Sequence, residues 1–126
     1  MFLEHDILMM NNTTDIAKDP MGSAIAEYYA KGKAARLRVF SSQFYEDEIP
    51  VETLFRSFDD MPPQEQEALR LCRGRVLDVG AGSGCHATEL MRMGKDVLAI
   101  DISELSVQVM KQRGIDARVA DFFDKT

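Results

Sequence analysis

RVLDVGAGSGCHATELMRMG, residues 75–94, opens with a short apolar run and continues through three glycines into an amphipathic segment. An apolar run followed at once by glycines is typical of a buried parallel strand that enters a tight turn. The segment after the turn predicts a helix ended by Gly94. Because Gly80, Gly82 and Gly84 lie between strand and helix, no side chain shields the backbone N–H groups from a ligand. The stretch therefore predicts a strand, a ligand-binding turn and a helix.

Downstream of this unit the same alternation continues. Residues 97–100 form a second apolar, β-branched run, and Ser103 is a suitable N-cap for a second helix that ends at Gly114. Residues 117–120 predict a third strand. The order β-α-β-α-β predicts an α/β fold with a parallel sheet, beginning near Gly74.

Acidic residues lie at or near the ends of the three predicted strands. Asp78 lies within the first, Asp101 directly follows the second and Asp121 directly follows the third. Ligands of open parallel sheets bind outside the carboxyl ends of the strands, which places Asp101, about twenty residues beyond the glycines, near ribose hydroxyls. Asp121 is placed to accept from an exocyclic adenine amine, with Phe122 covering the ring. Asp78 is expected to orient the turn or to reach a cationic amino group through water.

Each of these residues also has a plain structural interpretation. Aspartates after strands are often turn residues, and this alternative stays open for Asp101 and Asp121. Phe122 and Phe123 are equally suited to a hydrophobic core. Asp78 has a structural alternative as the residue that pins the loop.

The spacing of the glycines argues against a dinucleotide-dependent oxidoreductase. The G-x-G-x-x-G pattern of those enzymes requires a third glycine where this chain has Cys85, and Gly84 comes one residue early. Cys85 and His86 are neighbours on a helix and do not face one site, so neither a metal site nor a Cys–His nucleophile is expected. We expect a packed cysteine and a partly exposed histidine.

VLDVGAGSG, the acid of AIDIS and the acid of VADFF together resemble the class I S-adenosylmethionine-dependent methyltransferases, over about residues 73–124. The resemblance implies a Rossmann-like domain in which the glycine turn frames the methionine end of the cofactor. The aspartates and the aromatic residue would then meet the ribose and the adenine. The cofactor-binding residues that it implies are Asp78, Gly80, Ala81, Gly82, Gly84, Asp101, Ile102, Asp121, Phe122 and Tyr29.

The family resemblance also implies an activity. In these enzymes a nucleophilic atom of the acceptor displaces the methyl group from the sulfonium directly, so catalysis rests mainly on positioning. The family sheet has seven strands in the order 3-2-1-4-5-7-6, of which this chain supplies strands 1 to 3. We therefore expect catalytic residues beyond residue 126, weak cofactor binding by this piece and no methyl transfer. The acceptor is unknown. A non-catalytic binding module, a structural relative and a nucleotide-dependent oxidoreductase remain alternatives.

The N-terminal part, residues 1–73, is expected to form a helical cap over the domain that begins at residue 74. Asp19 followed by Pro20 predicts a helix start, and Gly32 predicts its end. The apolar spacing along this helix directs Tyr28 and Tyr29 inward. The family resemblance implies that either tyrosine contacts the cofactor, and simple packing of the helix remains the alternative. A short extended piece is expected near residues 37–40. Two more helices are expected to start at Pro50 and at the pair Pro62 and Pro63, the last ending at Gly74.

Composition, charge and cysteine count limit the binding partners and the cellular location that we expect. The chain has 126 residues, 45% hydrophobic and 29% charged, with a formal net charge of −6. An acidic chain repels phosphate backbones, so nucleic acid is not favoured. Two cysteines, no basic leader and no long apolar run favour a cytoplasmic protein without a membrane span. In the family the fourth strand pairs with the first, so the open edge of the first strand in this chain is expected to pair with another copy or to exchange segments between chains.

Overall fold

A computed structural model describes residues 18–33, 37–41 and 44–123 of the chain. The regular elements, in chain order, are α1 (Pro20–Lys31), β1 (Leu37–Ser41), β2 (Phe44–Ile49), two short 3-10 helices (Val51–Phe55 and Phe58–Asp60), α2 (Pro63–Leu71), β3 (Arg75–Val79), α3 (Cys85–Arg92), β4 (Asp96–Asp101), α4 (Glu104–Gln112) and β5 (Ala117–Val119). None of the described helices is long and apolar enough to cross a membrane.

Three parallel strands form the sheet that the sequence predicts. Their spatial order is β3-β4-β5, with β4 in the centre. Arg75 lies opposite Asp96 and Val79 opposite Ile100, while Asp101 lies opposite Val119. The fold is a partial Rossmann-like α/β fold, which confirms the predicted class. The parallel register brings the carboxyl ends of all three strands to one edge of the sheet, called here the carboxyl edge.

The hydrophobic core packs α3 and α4 against β4 and its neighbours. Leu90 of α3 and Met110 of α4 are almost completely buried, and Val97 and Ala99 of β4 face them. Burying a side chain of this size stabilises the fold by about 1.5–3 kcal/mol. Because these helices begin directly after the strand ends, the core also fixes the positions of the loops at the carboxyl edge.

The first helix follows the predicted cap chemistry. Asp19 Oδ1 accepts a hydrogen bond from Gly22 N at 2.9 Å, and Gly32 ends α1 in the left-handed conformation, with φ 72°. Ile25 is fully buried and Tyr28 is half-buried, but Tyr29 is 41% exposed. The predicted inward orientation of Tyr29 is therefore wrong, because its position falls at the margin of the apolar stripe of the helix.

A hairpin replaces part of the expected helical cap. Strands β1 and β2 pair antiparallel, with Leu37 opposite Ile49 and Ser41 opposite Phe44. The extended piece near residues 37–40 was predicted, whereas β2 was not, because FYEDEI carries three acidic residues with little preference for strands. After Pro50 the chain forms a 3-10 helix instead of an α-helix, and α2 ends at Leu71, three residues before Gly74.

Candidate functional site

The glycine turn joins β3 to α3 at the carboxyl edge. All three of its glycines adopt positive φ angles, 66° at Gly80, 59° at Gly82 and 82° at Gly84. Ala81 N donates to the carbonyl of Ile100 at 3.1 Å, which ties the turn to the end of β4. L-residues with a Cβ rarely adopt these angles, so the turn requires glycine at these positions.

The three glycines face different surroundings. A Cβ built on Gly80 meets no atom within 4 Å, whereas one on Gly82 comes within 3.7 Å of Ile25 Cδ1. A Cβ on Gly84 comes within 2.4 Å of Ile115 Cδ1, deep in the core. Thus Gly80 leaves space open beside the turn, and Gly84 serves internal packing.

Asp101, at the end of β4, is hydrogen-bonded to the glycine turn. Its Oδ2 accepts from Gly82 N at 2.8 Å, and its Oδ1 accepts from Ser103 N at 2.8 Å. Burial raises the pKa of the Asp101 carboxyl, and the nearby Asp19 carboxylate adds to the rise, against the effect of the backbone donors. Each carboxylate oxygen keeps a lone pair that can accept another hydrogen bond. The structure therefore brings Gly82 and Asp101 together as the sequence predicts.

Asp78 lies on β3, next to the turn, and its carboxylate is incompletely paired. Its Oδ2 is buried and has no hydrogen-bond partner in the described part of the chain. Burial raises the pKa of Asp78; the Asp101 charge raises it further and His86 opposes the rise. Leaving a buried carboxylate oxygen unpaired is unfavourable, so this atom is suited to a donor supplied by a ligand.

Asp121 and the two phenylalanines after it lie beyond β5. The preceding residue, Ala120, donates its N–H to the carbonyl of Asp101 at 3.0 Å, which places this segment at the carboxyl edge. Asp121 Oδ1 accepts from Phe123 N at 2.9 Å, and so stabilises a local turn. Phe122 is 57% exposed and Phe123 is 74% exposed, so neither belongs to the core described. Ile102, between Asp101 and Ser103, is half-buried.

Tyr29 lies in an aromatic group beside the turn. Its ring stacks on Phe55 at a centroid distance of 6.4 Å, and Tyr28 packs on the same ring at 4.9 Å. Arg113 lies over Phe55 at 5.2 Å and donates to the Ser83 carbonyl at 2.7 Å. Tyr29 is thus linked to the glycine turn through two side chains.

Comparisons with known proteins agree with this arrangement. A family model described as a methyltransferase domain matches residues 77–125. The structure superimposes with a TM-score of 0.80 on the crystal structure of a SAM-dependent methyltransferase from Bacteroides fragilis in complex with S-adenosyl-L-homocysteine, at 62% sequence identity over 85% of this chain. By these two matches the chain is similar to SAM-dependent methyltransferases in sequence and in fold.

Two curated proteins match a shorter region of the chain. A tabtoxin biosynthesis enzyme of Pseudomonas amygdali pv. tabaci is 35% identical over 49 residues, 39% of this chain and 19% of its own length. A magnesium-protoporphyrin O-methyltransferase of Rhodobacter capsulatus is 46% identical over 39 residues, 31% of this chain and 17% of its own. The chain matches 45% of the length of the Bacteroides fragilis protein. It therefore spans less than half of each of these relatives.

An ionic cluster that the sequence pattern does not predict joins the N-terminal part of the chain to α3. Glu65 Oε1 lies 3.1 Å from Arg56 Nε and 2.5 Å from His86 Nε2. Burial alone would raise the pKa of Glu65, but the hydrogen bonds from His86 and Arg56 outweigh it and lower the pKa. Cys85 is buried and His86 is partly exposed, which confirms the sequence expectation for both. No sequence pattern predicts the contact between Arg56 and Glu65, because the two residues lie on different elements.

Proposed function

We propose that this chain binds S-adenosylmethionine at the carboxyl edge, and that the whole protein transfers its methyl group to an acceptor. The observation that carries the proposal is the 2.8 Å hydrogen bond between Gly82 N and Asp101 Oδ2. It joins the glycine turn to a carboxylate at the end of the neighbouring strand. Such a pairing suits a ligand with a sugar next to a charged end group.

Two features of the site fit this cofactor. Space is open beside Gly80, where a Cβ would meet no atom within 4 Å, so a ligand can approach the backbone. Asp78 Oδ2 is buried without a partner and is suited to the ammonium group of the cofactor, directly or through water. Because S-adenosylmethionine carries positive charge on both sulfonium and ammonium, the carboxylates of Asp78 and Asp101 favour it electrostatically.

Within the proposal each residue has a defined part. Asp101 accepts hydrogen bonds from the ribose hydroxyls with its remaining lone pairs, and Ile102 lines the same loop. Asp121 and the exposed ring of Phe122 contact the adenine, and Tyr29 of α1 also contacts the cofactor. The glycine turn, including Ala81, faces the methionine end. Bound S-adenosylmethionine supplies an electrophilic methyl group, and the residues described here hold and orient it.

A titration of the 126-residue chain with S-adenosylhomocysteine tests the proposal. Isothermal titration calorimetry should show saturable binding of this probe, and NAD at the same concentration should show none. The difference is expected because Cys85 occupies the position where the dinucleotide pattern requires its third glycine. Preference for NAD, or no binding of S-adenosylhomocysteine, would contradict the proposal.

We also propose a cytoplasmic location, supported by the state of the two cysteines. Cys72 and Cys85 are both free in the structure. Burial raises the pKa of Cys85, which favours the unreactive thiol form. Unpaired thiols of this kind are typical of a reducing compartment.

We further propose that a polypeptide of these 126 residues self-associates through β3. No other strand in the described part of the chain pairs with the outer edge of β3, and Leu77 and Val79 on this strand are 48% and 44% exposed. An unpaired strand edge flanked by apolar side chains is a template for another strand. The occupant is a second copy, paired antiparallel about a two-fold axis.

Sedimentation velocity measures this association. The parent chain is expected to form dimers as concentration rises, and Leu77→Lys is expected to shift the population toward monomer, since a lysine blocks edge pairing. Leu71→Lys is the matched control, because Leu71 is 63% exposed on α2, outside the sheet. A parent chain that stays monomeric at high concentration would refute the proposal.

A further inference from the structure

The N-terminal caps of α1 and α4 meet, although they are distant in sequence. Asp19 caps α1 through Oδ1, and its Oδ2 accepts a hydrogen bond from Ser103 Oγ. Ser103 caps α4 by accepting from Ser106 N at 3.1 Å. One carboxylate therefore serves the start of α1 with one oxygen and the start of α4 with the other.

Ser103 connects this pair of caps to the cofactor site. Its hydroxyl has a single proton, which it gives to Asp19. Its backbone N–H donates to Asp101 Oδ1 at 2.8 Å, and the other oxygen of Asp101 accepts from Gly82 N. Ser103 is itself buried, with 8% of its surface exposed. Asp19, Ser103, Asp101 and Gly82 thus form one continuous hydrogen-bonded chain, called here the Asp19 relay.

Close packing around Gly22 supports the Asp19 relay. A Cβ on Gly22 would lie 2.1 Å from Asp19 Oδ2 and 2.2 Å from Ser103 Oγ. Only a glycine at this position lets the two caps meet. One turn further along α1, Ile25 reaches within 3.7 Å of a Cβ built on Gly82. The start of α1 is therefore hydrogen-bonded to Ser103 through Asp19, and Ile25 of the same helix lies beside Gly82.

We propose that Asp19 is a positioning residue for the adenosyl cofactor: through Ser103 it fixes the orientation of Asp101 and seats α1 against the glycine turn. The inference rests on the proposed function, because it assigns to Asp101 the ribose hydroxyls. Asp19 itself touches Gly22 and Ser103, so it acts through the residues that hold the ligand. Asp19, in the N-terminal part of the chain, thereby contributes to cofactor affinity.

The charge of Asp19 adds a measurable signature. Two carboxylates lie near Asp101: Asp19, at the start of α1, whose charge acts on Asp101, and Asp78, on β3, on which the charge of Asp101 acts. Burial is the largest cause that raises the pKa of Asp101; the hydrogen bonds from Ser103 N and Gly82 N oppose it, and the Asp19 carboxylate makes a smaller contribution that raises the pKa. Asp101 accepts hydroxyl donors best when ionised, so binding falls as the pH drops through its pKa. Removing the Asp19 charge lowers that pKa and moves the loss of binding to lower pH.

Two substitutions separate the charge of Asp19 from its hydrogen bonds. Asp19→Asn keeps an oxygen that accepts from Gly22 N, and its amide group donates to Ser103 Oγ. The affinity of this variant for S-adenosylhomocysteine at pH 7 should stay within about threefold of the parent. Asp19→Ala loses both contacts and should bind about tenfold more weakly, the effect of losing a charge-assisted hydrogen bond. Asp116→Asn is the matched control, since Asp116 is exposed and precedes β5 at the opposite end of the sheet.

Calorimetry from pH 4 to 7 gives the binding profile, and carboxyl ¹³C NMR gives the titration of Asp101 without ligand. In Asp19→Asn we expect both the acid loss of binding and the Asp101 titration to move to lower pH, with no movement in Asp116→Asn. Unchanged profiles in Asp19→Asn, while the parent binds the probe, would overturn this inference alone. Failure of the parent to bind would overturn the proposed function. The asparagine variant retains the helix cap, so its binding and titration profiles test the inference even if Asp19→Ala does not fold.

Discussion

Asp101→Ala is expected to weaken binding of S-adenosylhomocysteine by about 100-fold or more. In the proposed complex the carboxylate accepts from two ribose hydroxyls, and hydrogen bonds to a charged group contribute about 1.5–3 kcal/mol each. Its removal also releases Gly82 N and Ser103 N, which it holds at 2.8 Å each. The variant therefore loses ligand contacts and the fixed shape of the glycine turn together. Isothermal titration calorimetry against the parent chain measures the change.

Asp101→Asn tests the hydrogen bonds that Asp101 accepts without shortening its side chain. Both carboxylate oxygens of Asp101 accept from backbone N–H groups. An asparagine turns its NH₂ group toward one of them, so a donor faces a donor. We therefore expect Asp101→Asn to lose at least about tenfold in affinity, the equivalent of one hydrogen bond.

Asp121→Ala is the matched comparison for Asp101. One oxygen of Asp121 already serves the local turn, by accepting from Phe123 N at 2.9 Å. Its proposed contact with the adenine amine is a single hydrogen bond, so its loss should cost less than the loss of Asp101. An Asp101→Ala variant that binds as tightly as the parent would refute the assignment of the ribose site.

Gly84→Ala is expected to lower the free energy of unfolding by about 2–5 kcal/mol. The residue has φ 82°, and a Cβ would lie 2.4 Å from Ile115 Cδ1 and 3.0 Å from Met110 Cγ. The left-handed conformation costs an L-residue about 1–2 kcal/mol, and overpacking a core costs about 1–3 kcal/mol. Both neighbours are buried, Ile115 at 4% and Met110 at 0% exposure, so neither can move away freely. Urea unfolding followed by circular dichroism measures the loss.

Gly114→Ala separates the two causes. Gly114 has the same φ, 82°, but a Cβ there would meet no atom within 4 Å. It should therefore show only the conformational cost, about 1–2 kcal/mol. Equal losses of unfolding free energy in Gly84→Ala and Gly114→Ala would show that the contact with Ile115 does not affect stability. Since small domains are stable by only about 5–15 kcal/mol, the predicted difference is a large share of the total.

The local elements were predictable because their causes act over a few residues. A proline after Asp19 and a glycine at position 32 define a helix within one stretch of chain. Ser103 caps α4 through Ser106, only three residues away. The apolar run before Gly80 predicts β3, and repeated strand-helix units predict a parallel sheet. From that sheet it follows that Gly82 and Asp101 meet at one edge.

Contacts between distant segments required the tertiary structure. Asp19 and Ser103 each read as a helix cap, and nothing in either cap indicates that the two share a hydrogen bond. The pairing of β2 with β1 and the exposure of Tyr29 likewise depend on neighbours that local patterns do not specify.

By itself, the sequence determined the α/β class, the glycine turn and the edge on which its acids lie, because backbone preferences and apolar periodicity act locally. Only the tertiary structure decided what each glycine is for. Gly80 borders open space and Gly84 is enclosed by core side chains, although both are glycines of the same motif. The physical reason is that burial and partner choice are properties of the packed molecule, set by side chains that the chain brings together from distant positions.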